Sequence, residues 1–122
     1  MGPGPSVFIK LRATLEQVHK ALEEAIAGQR RVELRYMDDA HYRLFEPYVI
    51  HVLAGIHRVV SGVQVSHPVD FDMANTWGCL ELAQIREVRE IDEAFMPHRG
   101  FSSFAVERYQ NVTAAVDRKK VA

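Results

Sequence analysis

The sequence predicts an α+β fold in which one helix precedes about five short antiparallel strands. Apolar residues recur with the helical period near the start of the chain, and from residue 31 the period changes to two, as in a half-buried strand. Turn residues then separate several β-branched segments. Short strands in this number, within about 90 residues, are typical of a small, strongly bent barrel or sandwich.

The helix is predicted at residues 14–27. Thr14 and Gln17 have the spacing of a capping box, with Thr14 as the N-cap. Gly28 is expected to end the helix in the left-handed conformation. Five apolar residues share one face, which we expect to pack on the sheet: Leu15, Val18, Leu22, Ala25 and Ile26.

The first two strands are predicted at residues 31–36 and 42–53, joined by turn residues at 38–40. Pro47 lies inside the second strand and therefore marks an edge, a bulge or a bend. A third, β-branched strand covers 56–65.

Residues 66–76 have no consistent period and are expected to form a loop. The chain returns to strand at 77–82, and a last short strand is predicted at 88–91. We therefore divide the chain into a flexible leader at 1–13, a barrel domain at 14–95 and a C-terminal extension at 96–122. The pattern of the extension also fits a helix, capped by Ser102 or Ser103, with one face formed by Ala105, Tyr109, Val112 and Val116.

The composition limits the classes of function. The 15 basic and 16 acidic residues give a formal charge of −1, whereas a domain that binds nucleic acid through phosphates usually has a basic excess. The single cysteine, Cys79, cannot form an internal disulfide. No apolar run reaches the length of a membrane helix, and the first residues lack a secretory signal pattern, so a cytoplasmic location without membrane association is expected.

The sequence contains no recognisable active site. The six histidines have no metal-ligand spacing, and a solvated loop explains the group formed by His67, Asp70 and Asp72. Cys79 falls in a predicted strand, where a small buried residue is the usual occupant. We therefore expect a protein that is not an enzyme and uses no metal or cofactor.

Several blocks, in the same order, resemble the WYL domain family. They cover about Ala21 to Phe95. The blocks are 21–26 followed by Val32-x-Leu34-x-Tyr36, then Arg43-x-x-x-Pro47, then 55–59, then 77–85 closing at Phe95. The resemblance implies an Sm-like five-stranded antiparallel barrel preceded by one helix. It further implies a short, stand-alone bacterial regulatory domain that senses a ligand or binds a partner.

The sequence departs from the family at functional positions. The Trp-Tyr-Leu tripeptide is replaced by residues 57–59, His-Arg-Val. The closing block, where the family often carries arginines, has Gly78, Glu81 and Gln84. Arg43 is the clearest survivor among the groups with which family members meet a negatively charged ligand.

Arg43 is therefore the principal candidate for ligand binding. A guanidinium at the start of a strand, with Tyr36, Tyr48 and Trp77 as stacking faces, suits an anionic or aromatic ligand. The alternative is a surface arginine paired with Glu33 or Glu46. Arg58, which replaces the central residue of the tripeptide, either rebuilds a positive site or faces solvent. The candidate ligand-binding residues are Arg43, Arg58, His57, Trp77 and Gln64.

The aromatic residues also have a structural interpretation. A small barrel needs large inward side chains, so a core role is favoured over a ligand cage. The residues concerned are Tyr36, Phe45, Tyr48, Trp77 and Phe95, together with Leu22 of the helix.

Three functions remain open. The first is a ligand-sensing or partner-binding regulatory domain, whose ligand is a small anion held by Arg43. The second is a module that binds single-stranded nucleic acid on the barrel surface through Arg35, Arg43 and Arg58; the missing arginines predict only weak binding. The third is a structural module that forms homo-oligomers through exposed strand edges.

Overall fold

A computed structural model describes residues 13–68, 70–98, 101 and 109–116. One helix and six strands occur in these ranges, with short 3-10 turns at Phe71–Met73 and Leu82–Gln84. The helix is α1 (Leu15–Gly28), and the strands are β1 (Arg30–Tyr36), β2 (Arg43–Leu53), β3 (His57–Gln64), β4 (Thr76–Glu81), β5 (Ile85–Ala94) and β6 (Gln110–Ala115). The α+β class and the positions of the first four strands agree with the sequence prediction, whereas β5 extends beyond the predicted 88–91.

The capping box predicted for α1 is present. The Gln17 N–H donates to Thr14 Oγ1 at 3.1 Å, and the Thr14 N–H donates to Gln17 Oε1 at 2.9 Å. The left-handed residue at the other end is Gln29, with φ 52°, and not Gly28, which is the last helical residue. The prediction for Gly28 was therefore wrong by one position.

The apolar face of α1 packs on the sheet as predicted, except at its first residue. Leu15 is 47% exposed, because it lies in the first turn, at the border of a surface cleft. The buried residues of α1 are Val18, Leu22, Ala25 and Ile26.

The strands form one antiparallel sheet in the order β4-β3-β2-β1-β5, and β6 pairs with β2. Because β3 occupies one edge of β2, β1 and β6 share the other edge: β1 pairs with Arg43–Phe45, and β6 with the segment from Val49 to Val52. The β2–β3 register shifts between Pro47 and Val49, which fits a bulge among the three features considered for Pro47.

The predicted closure into an Sm-like barrel is not confirmed. In the described residues the sheet ends at β4 and β5, which do not pair with each other. The 3-10 turn at Leu82–Gln84 carries the chain between these edges, and a side chain replaces ladder bonds there: the Glu81 N–H donates to the Tyr36 hydroxyl at 3.1 Å.

The helix considered for the C-terminal extension is wrong for the part that the structure describes. Residues 110–115 form β6, and the Val116 N–H donates to the Tyr48 carbonyl at 2.8 Å. The open edge of β2 supplies backbone partners, and β-branched residues such as Val112 favour a strand. Ser102, Ser103 and Ala105 lie outside the described residues, as does nearly all of the proposed leader.

The aromatic core surrounds Tyr48. Its ring centroid lies 5.1 Å from Trp77, 5.4 Å from Phe95 and 5.1 Å from Phe101. Phe45, Tyr48 and Phe95 are buried, as predicted, whereas Trp77 is 46% exposed because β4 is an edge strand.

The burial predicted for Cys79 is wrong: its side chain is exposed. Cys79 follows Gly78 in the edge strand β4, and alternation places it on the face opposite the buried Leu80.

A helix that crosses a bilayer needs about 20 apolar residues. The described part of the chain contains no helix of that length and character.

Candidate anion-binding site

Arg43 is buried at the start of β2. It pairs with Leu34 of β1 and is only 6% exposed. Its Nε and Nη2 donate to the two carboxylate oxygens of Asp39 at 2.9 and 2.8 Å, and its Nη1 donates to Gln64 Oε1 at 2.9 Å. Arg43 is therefore neither a surface residue nor a partner of Glu33 or Glu46, and Asp39 occupies the bidentate position where an anion would bind.

Asp39 lies in the turn between β1 and β2. Its Oδ2 also accepts a hydrogen bond from the Tyr36 N–H at 2.9 Å. Burial alone would raise the pKa of this carboxyl, but the hydrogen bonds from Arg43 and Tyr36 outweigh it and hold the pKa below its usual value. The carboxylate is therefore charged at neutral pH.

Two further arginines converge on the backbone carbonyl of Asp39. Arg35 donates to this oxygen from Nε and Nη2 at 3.3 and 3.1 Å, and Arg86 donates from Nη2 at 2.7 Å. Arg35, Arg43 and Arg86, which come from β1, β2 and β5, are called the arginine cluster below. Both acceptor groups of one turn residue thus lie among three guanidinium groups.

Arg86 has fewer partners than the other two arginines. Its Nε is buried without a hydrogen-bond acceptor. None of the ion pairs found among the described residues involves Arg86, whereas Arg35 pairs with Glu87 at 3.1 Å. Within the described ranges, Arg86 is a partly buried cation whose charge no carboxylate balances directly.

Gln64 and Gly78 complete the buried side of the site. Gln64 is 4% exposed, and its Nε2 donates to Thr76 Oγ1 at 3.5 Å. A Cβ atom at Gly78 would lie 2.7 Å from Gln64 Nε2. The space of a side chain at Gly78, where the family often has arginine, is thus filled by Gln64.

Aromatic rings lie beside two arginines of the cluster, and the Tyr42 ring centroid is 5.9 Å from Arg35 Cζ. The Tyr36 ring centroid is 5.6 Å from Arg43 Cζ, within the range of a cation–π contact. The Tyr42 hydroxyl donates to Glu87 at 2.7 Å, and this hydrogen bond raises the pKa of Tyr42. Of the stacking partners expected for Arg43, Tyr36 is the one found in contact with it.

His57 and Arg58 lie at the opposite end of β3 from Gln64, roughly 20 Å away at the strand rise per residue. His57 Nδ1 is 2.9 Å from Glu81 Oε2, and Arg58 Nη1 is 3.3 Å from His19 Nδ1. Arg58 is exposed and borders a cleft of about 400 Å³. The other residues around the cleft include Leu15, Val52, Ile56, Glu81 and Ala83.

Trp77 lies neither with Arg43 and Gln64 nor with His57 and Arg58. It pairs with Val63, so alternation places it on the opposite face of the sheet from Gln64. The structure therefore brings together Arg43 and Gln64 among the five candidate residues, and it separates them from His57, Arg58 and Trp77.

Sequence reasoning missed Asp39 and Arg86. Asp39 had been interpreted only as a turn residue, and Arg86 lies 47 positions further along the chain. No local spacing links them, because the pairing of β1 with both β2 and β5 creates the contact. No group of three or more His, Cys, Asp or Glu side chains in the described ranges is arranged to hold a metal ion.

The fold and the site define a small α+β sheet domain with a partly buried arginine cluster. The sequence matches no protein-family model and no curated protein. Among solved structures, it is similar in fold to proteasome accessory factor B/C (PafBC) of Arthrobacter aurescens, with a TM-score of 0.58 and 16% sequence identity. The match covers 84% of this chain and 15% of the PafBC chain.

Proposed function

We propose that this chain is a non-enzymatic regulatory domain of the WYL type that binds a small anionic ligand at the arginine cluster. The observation that carries the proposal is the convergence of Arg35, Arg43 and Arg86 on Asp39. The resemblance of the sequence blocks supports the family, and so does the similarity to PafBC, which has a WYL domain in its C-terminal part. On this proposal the bent sheet is an open variant of the Sm-like barrel, in a cytoplasmic protein.

The residues of the site are suited to binding an anion. Arginine presents a rigid fork that matches a carboxylate or a phosphate, and a partly buried fork binds more strongly than an exposed one. Gln64 fixes the orientation of Arg43, and Tyr36 covers one face of it. The Asp39 carboxylate accepts from Arg43 at the position that the ligand's oxyanion would take.

A small ligand is favoured over single-stranded nucleic acid. Strand-binding proteins combine a continuous positive groove with exposed stacking rings. Here Arg43 is buried, and Arg58 lies at the opposite end of β3. The two arginines are thus separated along β3, and one of them is buried.

The proposal is tested by thermal unfolding of the native chain and of Arg43→Ala with phosphate, pyrophosphate, organic acids and nucleotides. A ligand that binds only the folded state raises its unfolding temperature. We expect at least one of these anions to stabilise the native chain but not Arg43→Ala. Arg58→Ala, which removes the same charge at the far end of β3, should respond like the native chain. Equal stabilisation of Arg43→Ala, or no response to any anion, contradicts the proposal.

A further inference from the structure

We propose that the ligand of the arginine cluster carries two oxyanion groups joined by a short bridge, and that Asp39 is a built-in competitor for both positions. This inference rests on the proposed function and adds the chemical class of the ligand and the way in which binding is signalled.

The two oxyanion positions are defined by the two acceptor groups of Asp39, its carboxylate and its backbone carbonyl. Its carboxylate accepts from Arg43 at 2.8 and 2.9 Å and from the Tyr36 N–H at 2.9 Å. Its carbonyl oxygen accepts from Arg35 and from Arg86, the latter at 2.7 Å. Only Cα and Cβ separate the carbonyl carbon from the carboxyl carbon, so a ligand that replaces both acceptors needs a bridge of one or two atoms. Diphosphates and four-carbon dicarboxylates share this chemistry.

At the second position, a ligand oxyanion would be a stronger hydrogen-bond acceptor for Arg86 than the Asp39 carbonyl. A carbonyl oxygen carries only a partial charge, and Arg86 has no carboxylate partner among the described residues. The Arg86 Nε is also buried without an acceptor. A second oxyanion supplies the missing charge and an additional acceptor, and charge-assisted hydrogen bonds are stronger than those to a neutral carbonyl.

The turn that carries Asp39 is suited to release. Met37 has φ 53°, a left-handed conformation that is unfavourable for a residue other than glycine. The side chains of Met37, Asp38, Ala40 and His41 are exposed. The carboxylate and the carbonyl of Asp39 contact the groups that the ligand would occupy, so displacement leaves the turn held by two backbone bonds, from the Asp39 N–H to the Tyr36 carbonyl at 3.0 Å and from the Met37 N–H to the Gln84 carbonyl at 2.9 Å. The turn at residues 37–41 is therefore loosened. Ligand binding is thereby converted into exposure of a surface segment.

The experiment measures affinities by calorimetry for pyrophosphate and succinate, with phosphate and acetate as matched ligands that carry one oxyanion group. The native chain is compared with Asp39→Asn, and the control is Asp38→Asn, which makes the same charge change at the neighbouring exposed residue. Because an intramolecular competitor acts at an effective concentration in the millimolar range, we expect Asp39→Asn to tighten binding of a two-oxyanion ligand by about tenfold or more. Asp38→Asn should bind like the native chain.

A second pair of variants tests the inference independently of whether Asp39→Asn folds. Arg86→Gln removes the cation of the second position that has no carboxylate partner among the described residues and leaves Arg35 in place, so it should weaken the preference for pyrophosphate over phosphate, or for succinate over acetate. Arg89→Gln is its control, since Arg89 lies on the same strand and pairs with Glu33 at 2.8 Å. Amide exchange at residues 37–41 of the native chain should accelerate with ligand.

The outcomes separate this inference from the proposed function. Binding that depends on Arg43, with equal affinity for one-oxyanion and two-oxyanion ligands and no effect of Asp39→Asn or Arg86→Gln, overturns the inference and leaves the proposed function in place. No binding of any of the four anions to the native chain or to Asp39→Asn overturns the inference, and the proposed function is overturned with it when nucleotides and other organic acids also fail to stabilise the native chain. Preference for pyrophosphate or for succinate identifies the source of the two oxyanions.

Discussion

The guanidinium of Arg43 and the carboxylate of Asp39 form a bidentate ion pair in which both side chains are at least nine-tenths buried. The folded state lowers the pKa of Asp39 below its usual value of 3.8. A lowered pKa gives a stabilisation that is complete above the unfolded value and is lost as the pH falls through the folded value.

We therefore expect the pair to contribute to stability at neutral pH, and this contribution to disappear as the pH falls below about 4. Unfolding temperatures of the native chain and of Asp39→Asn, measured between about pH 6 and about pH 2, test this expectation. The difference between the two chains should shrink in acid. A constant difference would contradict the pairing.

A second pH effect is expected from His51, which is buried and 2.9 Å from Ser61 Oγ. Burial lowers its pKa below the usual 6.5, because it disfavours the charged ring. The unfolded chain then binds the proton more readily, so stability should decrease as the pH falls below about 6.5. Replacement by Asn should remove this dependence. The same change at the exposed His41 should preserve it, and an effect of equal size there would refute the assignment.

The packing of α1 is tested by a matched pair of leucines. Leu22 is fully buried against the sheet, whereas Leu15 is 47% exposed. Leu22→Ala should lower the free energy of unfolding by roughly 2–5 kcal/mol, and Leu15→Ala by less than about 1 kcal/mol. Denaturant unfolding measures both values. Equal losses would mean that the helix packs through a different face.

The thiol of Cys79 should react in the native state, because it is exposed on the edge strand β4. Access and thiolate content control the rate of labelling. We expect the native rate to lie within about tenfold of the rate in denaturant. Labelling that occurs only after unfolding would restore the buried position that sequence reasoning assigned to this residue.

Local patterns account for most of the predicted fold. The capping box of Thr14 and Gln17, the face of α1 and the first four strands depend on periodicity within a short window, and the structure places them where expected. The strand β6 was not predicted, because Tyr109, Val112 and Val116 have a spacing that fits a helix. A strand forms there because the edge of β2 beyond β1 is open, which is a property of the whole sheet.

Two residues of the candidate site were selected from the sequence. Arg43 and Gln64 lie together, and the family resemblance had selected both. Asp39 and Arg86 were not selected, since their contact arises from strand pairing across the sheet and leaves no spacing in the sequence. That Arg86 lacks a carboxylate partner and an acceptor for its Nε among the described residues follows from three-dimensional contacts and not from the sequence.

The proposed function depends on where an anion binds, and NMR titration of the arginine side chains measures this directly. The Nε–H resonances of the native chain are followed as pyrophosphate is added, with assignments from single Arg→Lys variants. We expect the resonances of Arg43 and Arg86 to shift together in a saturable manner, while that of Arg58 stays in place. A shift of Arg58 alone would move the ligand site to the cleft at the opposite end of β3 and contradict the proposed function.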